Sequence, residues 1–166
     1  MAFTIGMRQN GPFKYDVYLG FGVYDLPKIH QLQENLEKRD IVCYPKYDAA
    51  FSEYSVKTAI VEGVARSQKC LLYVSMEFIS DQSYKFEVAQ VLHKVKRFSR
   101  DMVIVLKDPL ADVPHELKEF SVYDVPDART LENPRFLDGL ATALKKGIHF
   151  CILRNLQAKP PDLHRL

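Results

Sequence analysis

Few residues of this chain have the types and spacing that chemistry needs. No GxxxxGK[ST] follows an apolar run, which excludes the phosphate loop of nucleoside triphosphatases. Gly20–Gly22 reads Gly-Phe-Gly rather than GxGxxG, so a dehydrogenase-type dinucleotide site is not expected. A phosphate-accepting receiver needs an acidic cluster after its first strand and an aspartate closing its third, where this chain has Gly20 and Ser75. There is no GxSxG nucleophile elbow. His30, His93, His115, His149 and His164 share no metal-ligand spacing and read as surface or helix-edge residues, so no metal is expected. Cys43, Cys70 and Cys151 are odd in number, lack CxxC spacing and sit among apolar residues, as reduced, buried thiols would. What survives is a glutamate early in a predicted helix, Glu87, a glycine on each side of Phe21, and a loop with three rings, Tyr47, Phe51 and Tyr54.

These residues hang on a regular alternation of strands and helices. Tyr15–Phe21 reads as a strand rich in aromatic and β-branched residues, closed by glycines. Asp25 is placed to cap a helix with Pro27 in its first turn, and Ile29, Leu32 and Leu36 recur at helical spacing. Ile41–Tyr44 is a second short strand, followed by the loop Pro45–Phe51. Ser52 is a candidate cap for a second helix, striped by Val56, Ala59, Ile60 and Val64. Cys70–Val74 is a continuous apolar run, the mark of a strand buried on both faces. A polar loop, Ser80–Ser83, precedes a helix with Val88, Val91, Leu92 and Val95 on one face. Met102–Leu106 is a fourth strand, Pro114–Phe120 a short helix and Ser121–Val125 a weaker fifth strand. Phe136–Lys146 closes the chain's regular structure, with Leu137, Leu140 and Leu144 inward. The expected fold is α/β: a flavodoxin-like three-layer sandwich, its five-stranded parallel sheet in the order 2-1-3-4-5 with helices on both faces. Ligands of such folds bind beyond the carboxyl ends of the strands, here Gly20–Asp25, Pro45–Phe51, Ser75–Ser83 and Lys107–Pro114.

The totals set the outer limits. With 166 residues, 47% of them hydrophobic and 27% charged, the chain is ordinary for one globular domain and not for a disordered one. Residues 14–155 are expected to form it, with an N-terminal extension over 1–13 and a polar tail or linker over 156–166. Apolar runs such as Cys70–Val74 fall far short of the roughly 18 residues of a membrane span, so membrane insertion is not expected. Nor does Met1–Phe13 read as a signal peptide, since Arg8, Asn10, Gly11 and Pro12 stand where an apolar run should be. A net charge of +2 is too mild to demand nucleic acid. Reduced cysteines and the absence of any N-x-S/T sequon lead to a cytoplasmic expectation, either for the chain alone or as part of a larger protein.

Three segments carry a resemblance. Tyr15–Phe21 (YDVYLGF) resembles the first box of the Toll/interleukin receptor (TIR) domain, commonly [FY]DV[FY][LI]S[FY]. Lys69–Ser75 (KCLLYVS) resembles its third strand with the closing serine, and Ser83–Val88 (SYKFEV) its WCKYEL-type segment at the start of the third helix. Val61–Ser67 also matches the helix end before that strand. The three boxes fall in register with the strand–helix alternation over roughly Lys14–Lys146. The departures are specific: Ser83 replaces the tryptophan, Lys46–Tyr54 lacks the Arg-Asp-x-x-Pro-Gly loop, Gly20 and Gly22 replace Ser and Arg, and no Phe-Trp box exists because the chain has no Trp.

The resemblance implies a signalling domain acting by homotypic assembly, with itself or other TIR domains as partners, in innate immune or cell-death signalling. It also implies an NAD glycohydrolase reading, because enzymatic members cleave NAD with a glutamate at the position of Glu87. NAD would then be a substrate, with no cofactor. Nicotinamide leaves as a neutral molecule, so one ionised carboxylate that orients the ribose and stabilises an oxocarbenium-like sugar would suffice. Gly20 and Gly22 would let backbone approach the diphosphate, Phe21, Tyr47 or Tyr84 would stack on a ring, and Asp48 would complete the binding loop. The plain alternative is a glutamate that only complements a helix dipole. For the loop after the second strand, Ala49, Ala50, Phe51, Glu53 and Tyr54 are the partner-binding candidates, because exposed rings anchor interfaces. The alternative there is that one or two rings fold back into the core. Lys94, Lys96, Arg97 and Arg100 have a simple explanation as cations at a helix C-terminus.

Overall fold

The computed structural model describes residues 13–44, 46 and 55–146. The candidates Tyr47, Asp48, Ala49, Ala50, Phe51, Glu53 and Tyr54 lie outside the described residues, as do Cys151 and the expected tail. In chain order the elements are β1 (Tyr15–Gly20), α1 (Leu26–Glu37), α2 (Val56–Arg66), β2 (Ser67–Val74), α3 (Met76–Ser80), α4 (Tyr84–Arg97), β3 (Val103–Lys107), β4 (Ser121–Asp124) and α5 (Pro134–Lys145). The strands form one parallel sheet, β1-β2-β3-β4, with Val17 opposite Lys69, Leu72 opposite Val105 and Leu106 opposite Tyr123.

Among the described residues there are four strands rather than five. Ile41–Tyr44 lies along β1 through a single parallel bridge, Val17 to Cys43, and the Tyr44 N–H donates to the Val17 carbonyl at 2.9 Å. Asp40, in the left-handed region at φ 63, turns the chain immediately before the segment.

Alternation along the strands sorts the core into two layers. Val17, Leu19, Phe21, Leu71, Tyr73, Ile104 and Leu106 face α1 and α5, meeting Ile29, Leu32, Leu137 and Leu140. Tyr18, Cys70, Leu72, Val74, Val103 and Val105 face α2 and α4, meeting Ile60, Val64, Val88 and Val91. Helices therefore cover both faces, and β2 is buried along its whole length, which is why Cys70–Val74 carries no alternation. Each such Val or Leu contributes about 1.5–3 kcal/mol by leaving water. Cys43 and Cys70 are free and buried, and burial pushes the Cys70 thiol up to about 12.

Several local expectations shift. The second helix is capped by Ser55, whose Oγ accepts from Thr58 N–H at 3.2 Å, not by Ser52. Ser75 Oγ accepts from Phe78 N–H at 3.0 Å and starts α3, a turn of helix that apolar periodicity is too short to announce. Pro114–Phe120 holds only one 3-10 turn, His115–Leu117. Asp25 makes no cap bond, because its carboxylate accepts from Ser75 Oγ at 2.5 Å instead. In α2, a Cβ on Gly63 would come within 2.5 Å of Tyr18 and 2.6 Å of Tyr44 ring carbons, so the bare backbone lets the helix sit flush on both rings. Lys94 is buried, not on the surface: its Nζ donates to the carbonyls of Val64 and Ser67, tying α4 to the end of α2.

Candidate functional site

Glu87 sits in the first turn of α4, where the resemblance places it, but turned inward and only 1% exposed. Three elements build its surroundings. β1 brings Tyr18, whose hydroxyl donates to Glu87 Oε1 at 2.5 Å. Lys46, just after the Ile41–Tyr44 segment and itself 6% exposed, donates its Nζ to the same oxygen at 2.6 Å and to the Phe21 carbonyl at 3.4 Å. The ammonium also lies 5.0 Å from the centre of the Phe21 ring. Gly20 forms the floor: a Cβ there would come within 2.4 Å of Leu72 Cδ2 and 3.1 Å of Glu87 Oε1.

Burial pushes the Glu87 carboxyl above the usual carboxylate range, against the pull of the Lys46 charge and of hydrogen bonds from Lys46 and Tyr18, with Asp81 adding to the rise. A carboxylate so placed holds charge next to an ammonium in a dry setting, and it is out of a ligand's reach until Lys46 or Tyr18 moves.

The structure brings Gly20, Phe21 and Glu87 together. Gly22 is spent on the chain itself, since a Cβ there would lie 2.9 Å from the Phe78 nitrogen. Phe21 is buried in the α1–α5 core layer. Tyr84 turns away from Glu87: it packs edge-on against Phe78 at 5.1 Å, and its hydroxyl donates to Glu116 at 2.9 Å. Neither Tyr18 nor Lys46 stands out in the sequence as a candidate. Strand alternation puts Tyr18 on the α4 side of the sheet, which was a readable signal, but Lys46 reads as a solvated loop residue until the fold closes over it.

On the other face, at the same end of the sheet, a cavity of about 260 Å³ opens between α1, α3 and the loop after β3. Lys28, Tyr73, Met76, Glu77, Asp108 and Leu110 line it. The Tyr73 hydroxyl donates to Asp108 Oδ2 at 2.7 Å, and Lys28 Nζ stands 3.9 Å from both Asp25 and Asp108. Among the described residues no group of three or more His, Cys, Asp or Glu could hold a metal ion, and no helix is long and apolar enough to cross a membrane.

No protein-family model matches the chain, and no curated protein matches it. Solved structures do. The TIR domain of the Toll-related receptor TRR-2 from Hydra magnipapillata is similar at TM-score 0.65 and 17% identity, over 80% of this chain and 99% of that one. A metazoan TIR-STING receptor from C. gigas, solved in complex with 2',3'-cGAMP, is similar at TM-score 0.64 and 16% identity, over 82% of this chain and 41% of that one. A second structure of the same receptor gives TM-score 0.61 at 16% identity, over 82% of this chain and 42% of that one. The chain therefore has the fold of TIR domains and spans less than half the length of the TIR-STING receptor. At these identities the likeness is one of fold.

Proposed function

We propose that this chain is a TIR-type signalling module that works in the cytoplasm by homotypic assembly, with a second copy or another TIR domain as partner. The observation that carries this reading is the fold shared with the TIR domain of a Toll-related receptor at TM-score 0.65. NAD hydrolysis at Glu87 is a second reading, favoured by one feature: a buried carboxylate early in α4 at the carboxyl end of the sheet, with its pKa raised by burial. In that reading assembly must draw Lys46 off Glu87 before the ribose of NAD can take its place. Without that opening the chain is a non-catalytic scaffold.

The test is nicotinamide release from NAD across a concentration series spanning self-association, for wild type and Glu87→Gln. Turnover that rises with assembly and vanishes in a Glu87→Gln variant of unchanged melting temperature establishes the enzyme. Assembly without turnover leaves the scaffold, and a chain that stays monomeric and fails to bind other TIR domains sinks the primary reading.

A further inference from the structure

Resting on the assembly reading, we infer that the cavity between α1, α3 and the loop after β3 receives the Lys96–Arg100 turn of a second copy, so that copies associate head to tail. The cavity has the make-up of a docking site rather than of a solvated surface. Its walls offer the carboxylates of Glu77 and Asp108, with Asp127 at the edge, against one partly exposed cation, Lys28. At it the described residues leave Leu110 85% and Met76 51% exposed, and Tyr24, on the turn beside α3, is 83% exposed. Tyr24 belongs to the turn Val23–Asp25, on which α3 packs. Large exposed apolar residues ringed by polar ones mark interaction surfaces.

The complement lies at the other end of β3. Lys96, Arg97 and Arg100 are exposed beside half-buried Phe98, with the Arg97 guanidinium 5.7 Å over the Phe98 ring. This is a set of cations around a ring, facing a set of carboxylates around an apolar floor. Among the described residues, the ion pair on this turn, Arg100 to Glu119 at 3.8 Å, is exposed on both sides and costs little to exchange. A helix dipole accounts for cations at the end of α4, but it does not account for Leu110 and Tyr24 standing in water at the opposite end of the sheet. The turn precedes β3 and the cavity follows it, so one copy cannot bring the two together. A second copy supplies the match, and because the two surfaces differ, the contact propagates instead of closing as a two-fold pair.

The experiment is sedimentation velocity on the full chain at low and moderate salt, with Glu77→Lys and Leu110→Ser altering the cavity and Arg97→Glu altering the turn. All three residues are exposed and hold no hydrogen bond that the fold needs, and circular dichroism confirms each variant folded. The expected result is salt-sensitive self-association of wild type, weakened at least tenfold in each single variant. An equimolar mixture of Glu77→Lys with Arg97→Glu should form a heterodimer but no longer assembly, because the intact turn of one fits the intact cavity of the other and both remaining surfaces are altered. Wild-type assembly in any of the single variants, or a mixture no better than its components, overturns this surface and leaves the assembly reading standing. A wild type that never self-associates overturns this inference and the homotypic part of that reading together.

Discussion

Glu87 and Asp108 stand at the same end of the sheet, on opposite faces, and their surroundings are built in opposite ways. Around Glu87 the chain supplies everything: a phenol, an ammonium and a glycine floor, packed until 1% of the residue is exposed. Around Asp108 it supplies carboxylates, one lysine and apolar side chains, and leaves a cavity open. A closed charged group contributes specificity and register to a fold, whereas an open one beside exposed apolar surface is available to a partner. The glutamate most conspicuous in the sequence is thus packed inside, and the exposed apolar side chains stand on the other face.

The largest break in that comparison comes from Lys46→Met. It leaves the Glu87 carboxylate buried without its ammonium, and urea denaturation should show a loss of about 3–5 kcal/mol. The double variant Lys46→Met/Glu87→Gln should regain much of it, and a loss below about 1 kcal/mol in the single variant would mean that water reaches Glu87.

A smaller effect is expected at the floor. Gly20→Ala places a carbon within 2.4 Å of Leu72 Cδ2 and 3.1 Å of Glu87 Oε1, which overpacks the site. The cost should be about 1–3 kcal/mol, read by the same denaturation.

The smallest effect sharpens the open side. Burial pushes the Asp25 carboxyl up, Ser75 and Lys28 pull it down, and Glu77 and Asp108 push it further up. Folded Asp25 therefore holds its proton to higher pH than the unfolded chain does. Its contribution to stability is full below the unfolded value near about 4, and it is lost as pH rises through the folded value. The melting temperature of Asp25→Asn should fall less steeply than that of wild type as pH rises from about 4. An unchanged slope would assign the whole dependence to Glu87.

Much of this architecture is legible in the residues. The apolar runs Tyr15–Phe21, Cys70–Val74 and Met102–Leu106 mark strands to within a few residues, since burial on both faces removes alternation and leaves β-branched and aromatic side chains. The stripe Leu137, Leu140, Leu144 likewise marks α5, and all three are buried. The second strand is legible only in part: Ile41–Tyr44 runs parallel beside β1 as expected, but ladder formation is decided by neighbours, and among the described residues the segment keeps one bridge. Glu87 is legible as a candidate through its place early in a helix beyond the sheet. Its partner Lys46 is not, because the distance between two residues 41 apart in sequence is a property of the closed fold.

Gly63 lies on α2, away from the chemistry of Glu87, yet its missing side chain sets the gap between α2 and the ring of Tyr18. Glycine within a helix costs about 1 kcal/mol relative to alanine. Here that local weakness lets a neighbouring phenol reach its hydrogen-bonding distance. The aim of the Tyr18 hydroxyl is thus calibrated from behind, as a shim sets the travel of a lever, and a single methyl group added to α2 would misalign the carboxylate without touching it.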